Sequence, residues 1–204
     1  IKINSLTGDC FMQKPFWKNT LEKEDLKKIF INVCHSCNQL GIKYVVVPLV
    51  DNGRINNPQE KLDLISFLST HTSLFRNLSL KILFESDFDP ENLYYFIESL
   101  PRDVFGVNYD IGNSASMGYE PTEEFSFYGD RILNVHIKDR LYQGTTVPLG
   151  KGDADFKTVF SLLKKYKYDG NLILQTARSN NSQHSAILEV YKNYILDWIN
   201  KVNL

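Results

Sequence analysis

Residues 104–140 read VFGVNYDIGNSASMGYEPTEEFSFYGDRILNVHIKDR, and two apolar runs inside this stretch decide the fold. The first, Val104–Asp110, ends in an acid; the second, Ile132–Ile137, carries His136 near its end. Similar runs lie at Ile1–Leu6, Tyr44–Val50, Lys81–Glu85 and Leu172–Gln175. Most are near-continuous in Val, Ile, Leu and Phe rather than alternating, as expected of parallel strands buried on both faces.

Between the runs the sequence signals helices. Asn19 or Thr20 can cap the first, with Glu22, Glu24 and Asp25 supplying negative charge to its opening turn. Leu26, Phe30, Val33, Cys37 and Leu40 recur at helical spacing and form its expected buried face, and Gly41 ends it. Asn57-Pro58 and Asp89-Pro90 each place a capping side chain before a proline at the first helical position. Asp153 or Asp155 opens a helix after Gly150-Lys151-Gly152. The last helix runs from about Gln183 to Val202 and carries Ile187, Val190, Tyr194 and Trp198.

A strand–helix alternation repeated about six times calls for a parallel sheet. A doubly wound sheet would advertise a glycine-rich phosphate turn after its first strand, and neither GxGxxG nor GxxxxGK[ST] occurs. A barrel places its functional residues at the C-terminal ends of several strands, where this sequence has its acids and its histidine. The expected fold is therefore α/β, a (β/α)8 TIM barrel in one domain over residues 1–204. Eight units take about 250 residues, so the expected barrel lacks its first two βα units.

Four strand ends carry a potential metal ligand or its amide analogue: Glu85, Asp110, His136 and Gln175. Parallel barrel strands aim their C-terminal ends at one mouth, so these side chains can converge. Singly, an acid at a strand end caps a helix and a histidine in an apolar strand packs in the core. Together, burial without partners would cost several kcal/mol, a cost that a shared cation removes. Two carboxylates, an imidazole and an amide oxygen suit Mn²⁺, Co²⁺ or Mg²⁺, with Zn²⁺ also accommodated.

The segment from Val107 to Phe156, with FESDFDPE before it and LILQTAR after it, resembles the sugar-phosphate isomerase/epimerase family of the xylose isomerase-like superfamily. The shared patterns are D-x-G-N at one strand end, H-x-K-D at the next and the G-T-x-x-P-L-G-x-G loop after it. The resemblance implies a barrel binding one divalent cation through Glu85, Asp110, His136 and the residue at 175. It implies proton transfer next to a carbonyl of a sugar or sugar phosphate. The family usually has glutamate at 175, the second of two facing bases; Gln175 can offer an oxygen but cannot take a proton at neutral pH. That weakens a two-base epimerisation; a single-base scheme through Glu85 survives, giving an aldose–ketose isomerisation or a dehydration. A non-catalytic barrel that binds a sugar or a protein partner is the alternative.

Softer roles attach to neighbours. Lys138 and Arg140 can act on substrate oxygens or phosphate, with Asp139 orienting them, or form a surface ion-pair cluster. Arg178 can grip a phosphate, Asn113 can orient a hydroxyl or cap a turn, and Glu91 can reach a hydroxyl. The Gly144–Gly152 loop reads as a lid, as a phosphate nest or as a plain loop. Cys34-His35-Ser36-Cys37 has CxxC spacing but sits inside an amphipathic helix, where two cysteines pack. His71 and His184 read as surface residues. Phe16-Trp17 and Tyr94-Tyr95 read as packing.

Composition narrows the remaining classes. With 23 basic and 24 acidic residues, the net charge of −1 gives no reason to expect a nucleic-acid or membrane partner. A DNA-repair endonuclease barrel with three zinc ions needs more than the four histidines present. No apolar run approaches about 18 residues, the N-terminus lacks a signal-peptide pattern, and three cysteines fit a reducing compartment. The expectation is a cytoplasmic protein acting on a small sugar or sugar phosphate, able to pair as a homodimer.

Overall fold

The computed structural model describes residues 2–18, 20–179 and 182–204. These residues fall into two compact units, one from the N-terminus to Phe88 with Asn92–Val107, the other Asp89–Glu91 with Asn108–Leu204.

The first unit holds β1 (Ser5–Thr7), α1 (Asp9–Gln13), α2 (Lys23–Gln39), β2 (Tyr44–Leu49), α3 (Pro58–Asn77), β3 (Lys81–Ser86) and most of α4 (Pro90–Glu98). The initial residues of β4 (Phe105–Asp110) complete it. Its strands run parallel in the order β1-β2-β3-β4, in registers such as Thr7↔Val46, Val46↔Leu83 and Phe84↔Val107. Every residue of β2 after Tyr44 is buried, as the unbroken apolar run requires. Helices α2 and α3 pack a cluster of rings, with Phe16, Phe30 and Phe67 meeting at 4.8–5.9 Å. Phe16 and Trp17 are buried in it, and the Trp17 indole donates to the Gly53 carbonyl.

The start of α2 departs from the sequence expectation. Asn19 lies outside the described residues. Thr20 sits three residues before the helix, and Glu22 occupies the cap position without a side-chain hydrogen bond to the helix N–H groups. The buried face is Leu26, Phe30, Cys34 and Cys37; Val33 is only half-buried and Leu40 is 75% exposed. Spacings of four, four and three keep one face inward, and Val33 falls beside it. At the other end Gly41 takes φ +71°, and the N–H groups of Gly41 and Ile42 reach the carbonyls of Asn38 and Cys37. That paired closure needs a left-handed residue, which glycine supplies without strain. Helix α3 starts as expected, with Asn57 Oδ1 accepting the Glu60 N–H at 3.0 Å and Pro58 next. His71 is half-buried, bonded to the Phe67 carbonyl at 2.8 Å and packed on that ring, and so is no plain surface residue.

The second unit continues β4 into α5 (Ile111–Met117) and α6 (Pro121–Tyr128). Then come β5 (Ile132–Ile137), the short antiparallel pair β6 (Asp139–Arg140) and β7 (Thr146–Val147), α7 (Phe156–Lys165), β8 (Asn171–Leu174) and α8 (His184–Val202). The parallel order is β4-β5-β8, with His136 opposite Ile173. Asp155, rather than Asp153, caps α7 by accepting the Thr158 N–H. In α8 the buried residues are Tyr191 and Ile195, while Val190 is 59% exposed. The inward stripe therefore runs Ile187–Tyr191–Ile195, one position off the expected Val190.

Candidate active site

Asp110 ends β4 and also caps α5, its Oδ1 accepting the Asn113 N–H at 2.8 Å. Strand alternation puts Asn108 and Asp110 on one face of β4, and Asn134 and His136 on one face of β5. The lower pair begins a ladder of amides. Asn134 Nδ2 donates to Asn108 Oδ1 at 2.6 Å, and Asn171 Nδ2 on β8 donates to Asn134 Oδ1 at 3.3 Å. One step further along, His136 Nδ1 stands 3.9 Å from Asp110 Oδ2, with the residues 2% and 4% exposed. A carboxylate and an imidazole withdrawn from water in this way match the donor types of a divalent-cation site.

The residues after His136 fold back over the turn after Asp110. Lys138 Nζ lies 2.9 Å from Asp110 Oδ2 and donates to Asn113 Oδ1 at 3.3 Å. Arg140 Nη1 donates to the same Asn113 oxygen at 2.9 Å, while its Nε and Nη2 donate to the Gly144 carbonyl. Asn113 thus bridges the two cations. Gly112 makes room for Lys138, since a Cβ there would stand 2.7 Å from Lys138 Cγ. D-I-G-N and H-I-K-D-R are two halves of one interlocked structure, and Lys138 and Arg140 are not a surface ion-pair cluster: both are half-buried.

Asp139 faces the other way. Alternation turns it away from Lys138 and Arg140, so it does not orient them. Its carboxylate is fully buried and accepts the N–H groups of Gly150, Lys151 and Gly152 on Oδ2 and of Ala154 on Oδ1, at 2.8–3.2 Å. The N–H groups at the end of the Gly144–Gly152 loop and of Ala154 serve the chain's own carboxylate, so in this structure they are not directed at a phosphate. A Cβ on Gly152 would stand 2.2 Å from Asp139 Oδ1.

A further buried acid, Glu124 on α6, has no distinguishing mark in the sequence, because the Pro121-Thr-Glu-Glu stretch reads as an ordinary acidic first turn. It is 2% exposed and accepts hydroxyls from Tyr109 (2.7 Å), Ser114 and Tyr128 (2.7 Å). Burial raises its carboxyl above the usual range, and the three hydroxyl donors oppose that shift. Burial, and then the charge of Glu124, push the Tyr109 and Tyr128 hydroxyls well above their ordinary value.

Glu85 is 5% exposed near the end of β3, opposite Pro48 of β2 in the first unit. Gln175 follows β8 with its backbone N–H on the Ile137 carbonyl at 3.0 Å, and its side chain is exposed. Arg178 and Glu91 are exposed, Glu91 in the first turn of α4. Among the described residues no helix is long and apolar enough to cross a membrane.

Over 107 residues the chain is 30% identical to a Haemophilus influenzae protein provisionally named L-ribulose-5-phosphate 3-epimerase SgbU, covering 49% of this chain and 37% of that protein. Over 189 residues it is 24% identical to inosose dehydratase of Clostridium perfringens, covering 74% of this chain. The chain spans 37% and 63% of the lengths of these two relatives. Among solved structures, the IolI protein with a bound zinc atom superposes with a TM-score of 0.77 at 22% identity, over 98% of this chain and 76% of that one. A Mycobacterium smegmatis xylose isomerase-like barrel in complex with magnesium gives 0.74 at 15% identity, over 99% of this chain and 74% of that one. Those two likenesses show a shared fold. Residues 6–194 match the family model described as xylose isomerase-like TIM barrel, and the chain belongs to that family.

Proposed function

We propose that this barrel is a divalent-metal-dependent isomerase or epimerase of a sugar or sugar phosphate. The observation that carries the reading is the buried Asp110–His136 pair at adjacent strand ends, with Lys138 and Arg140 gathered on Asn113 beside it. Glu85, Asp110 and His136 each offer one buried ligand atom, and Gln175 adds an amide oxygen in this assignment. Two carboxylates, one imidazole and one amide make a hard set that suits Mn²⁺, Co²⁺ or Mg²⁺ and accommodates Zn²⁺. A cation held there would polarise the substrate carbonyl and offset charge on its oxygen.

The chain's own residues supply the rest. Glu85 takes the proton from the carbon next to the carbonyl and returns it to the former carbonyl carbon of the enediolate, which exchanges aldose and ketose. Lys138 donates a hydrogen bond to the substrate oxygen that gains charge. Asn113 and Arg140 hold a hydroxyl, and Arg178 binds the far end of the sugar or its phosphate. The relatives carry the names of an epimerase and a dehydratase, and removal of a proton next to a carbonyl is a first step open to either type of reaction. With Gln175 in place of a second base, one carboxylate must serve both halves of the transfer.

The test is divalent-metal content and affinity of wild type, Glu85→Gln and His136→Ala, followed by a screen of sugar phosphates. Stoichiometric binding lost in both variants is expected. No binding by wild type would sink the enzyme reading and favour a non-catalytic barrel, the alternative that Gln175 supports. Gln175→Glu separates the two: a metal site gains affinity, and a scaffold does not.

A further inference from the structure

We propose that Glu124 is a positioning residue, whose single buried carboxylate ties down the residues immediately before and after the Asp110–Asn113 turn. The role in metal binding rests on the function proposed above; the role in holding the turn stands on geometry alone.

Tyr109 directly precedes Asp110, and Ser114 directly follows Asn113. Both hydroxyls meet the same oxygen, Oε2 of Glu124, while Tyr128, four residues on along α6, donates to Oε1. Oε2 therefore clamps both ends of a four-residue segment, while Oε1 is engaged by the carboxylate's own helix. Alternation turns Tyr109 to the face of β4 opposite Asp110, so the clamp acts from behind and leaves the Asp110 face to His136 and Lys138. The Tyr109 ring also meets Phe125 edge to face at 5.2 Å, which fixes it from a second side.

Energetics point the same way. An ionisable carboxyl withdrawn from water costs several kcal/mol unless donors satisfy it, and well-packed apolar side chains at such sites are often neutral or stabilising. Three hydroxyl donors offset the cost here, and what they gain is a fixed turn. Through that turn Glu124 sets where the Asp110 carboxylate stands and where Asn113 receives Lys138 and Arg140.

The experiment compares intact wild type with Glu124→Gln, Ser114→Ala and Tyr128→Phe in three measurements. These are melting temperature, amide hydrogen exchange across residues 110–117, and affinity for Co²⁺ or Mn²⁺ alone. Glu124→Gln and Ser114→Ala should speed exchange in 110–117 and weaken metal binding about tenfold, as loss of a ligand's outer partner does. Tyr128→Phe removes a bond on the far oxygen, so it should lower the melting temperature while exchange in 110–117 and metal affinity stay within about twofold of wild type. Unchanged exchange in Glu124→Gln and Ser114→Ala overturns the proposal. So does a Tyr128→Phe variant that disturbs 110–117 and metal affinity as much as the other two. A wild type that binds no metal but keeps the predicted exchange pattern upholds the clamp and removes the metal site.

Discussion

The ammonium of Lys138 lies 2.9 Å from Oδ2 of Asp110, the carboxylate assigned here to a cation. Asp110 is almost wholly buried, so Lys138 neutralises a charge that has little water to do so. Replacing Lys138 with Met should destabilise the metal-free protein on the order of 3 kcal/mol, because a buried carboxylate loses the cation against its Oδ2. A divalent cation should restore more stability to the variant than it adds to wild type, since it takes over that neutralisation. Denaturant unfolding with and without Mn²⁺ measures both; equal metal stabilisation in the two proteins would reject a cation at Asp110.

Gly112 is required by contact with its neighbour across the turn. A Cβ there would stand 2.7 Å from Lys138 Cγ and 2.9 Å from its Cβ, both near the backbone end of that side chain. Gly112→Ala should therefore cost about 1–3 kcal/mol through overpacking. It should also weaken metal binding, by moving Lys138 and Asp110 apart. Unfolding midpoints and a metal titration check the two effects separately.

Asp139 holds four backbone N–H groups of the loop after β7. An asparagine keeps one acceptor oxygen and turns its NH₂ toward those donors, so Asp139→Asn should lose about 1–3 kcal/mol. The loop should also loosen, and trypsin should cut after Lys151 far sooner than in wild type. A loop that resists trypsin equally in both proteins would contradict this account.

The thiols report on α2. Burial, and then the charge of Cys37, push the Cys34 thiol up from its ordinary value of 9.0 to about 12, and burial raises Cys37 as well. Cys10 is exposed. A thiol reagent at pH 8 should label Cys10 at once and the other two only on unfolding. Because the folded value is raised, the contribution of Cys34 to stability is intact below pH 9.0 and is lost as pH rises toward about 12, where only the unfolded chain ionises readily. Cys34→Ala should flatten that alkaline loss in pH-dependent unfolding.

The βα order and the site-bearing strand ends were legible because they depend on local chemistry. Unbroken apolar runs signal doubly buried strands, and an acid or histidine at their ends is visible without knowing what it meets. Helix faces were legible only to within a position, as Val33 and Val190 show, because a cylinder can rotate slightly under the same periodic pattern. The contacts between strands were not legible. The Asn108–Asn134–Asn171 ladder leaves a trace, an asparagine two residues before both Asp110 and His136, but nothing local says that the amides meet. Glu124 leaves none, since its partners come from a strand and another helix as well as its own.

The interlock of Gly112 with Lys138, and of Asn113 with Arg140, has a practical consequence for engineering. The two motifs cannot be exchanged one at a time between members of the family. A graft that imports a different residue at 112 or 113 must bring its own 138–140 segment, so the heritable module of this barrel mouth is a pair of strand ends about 25 residues apart.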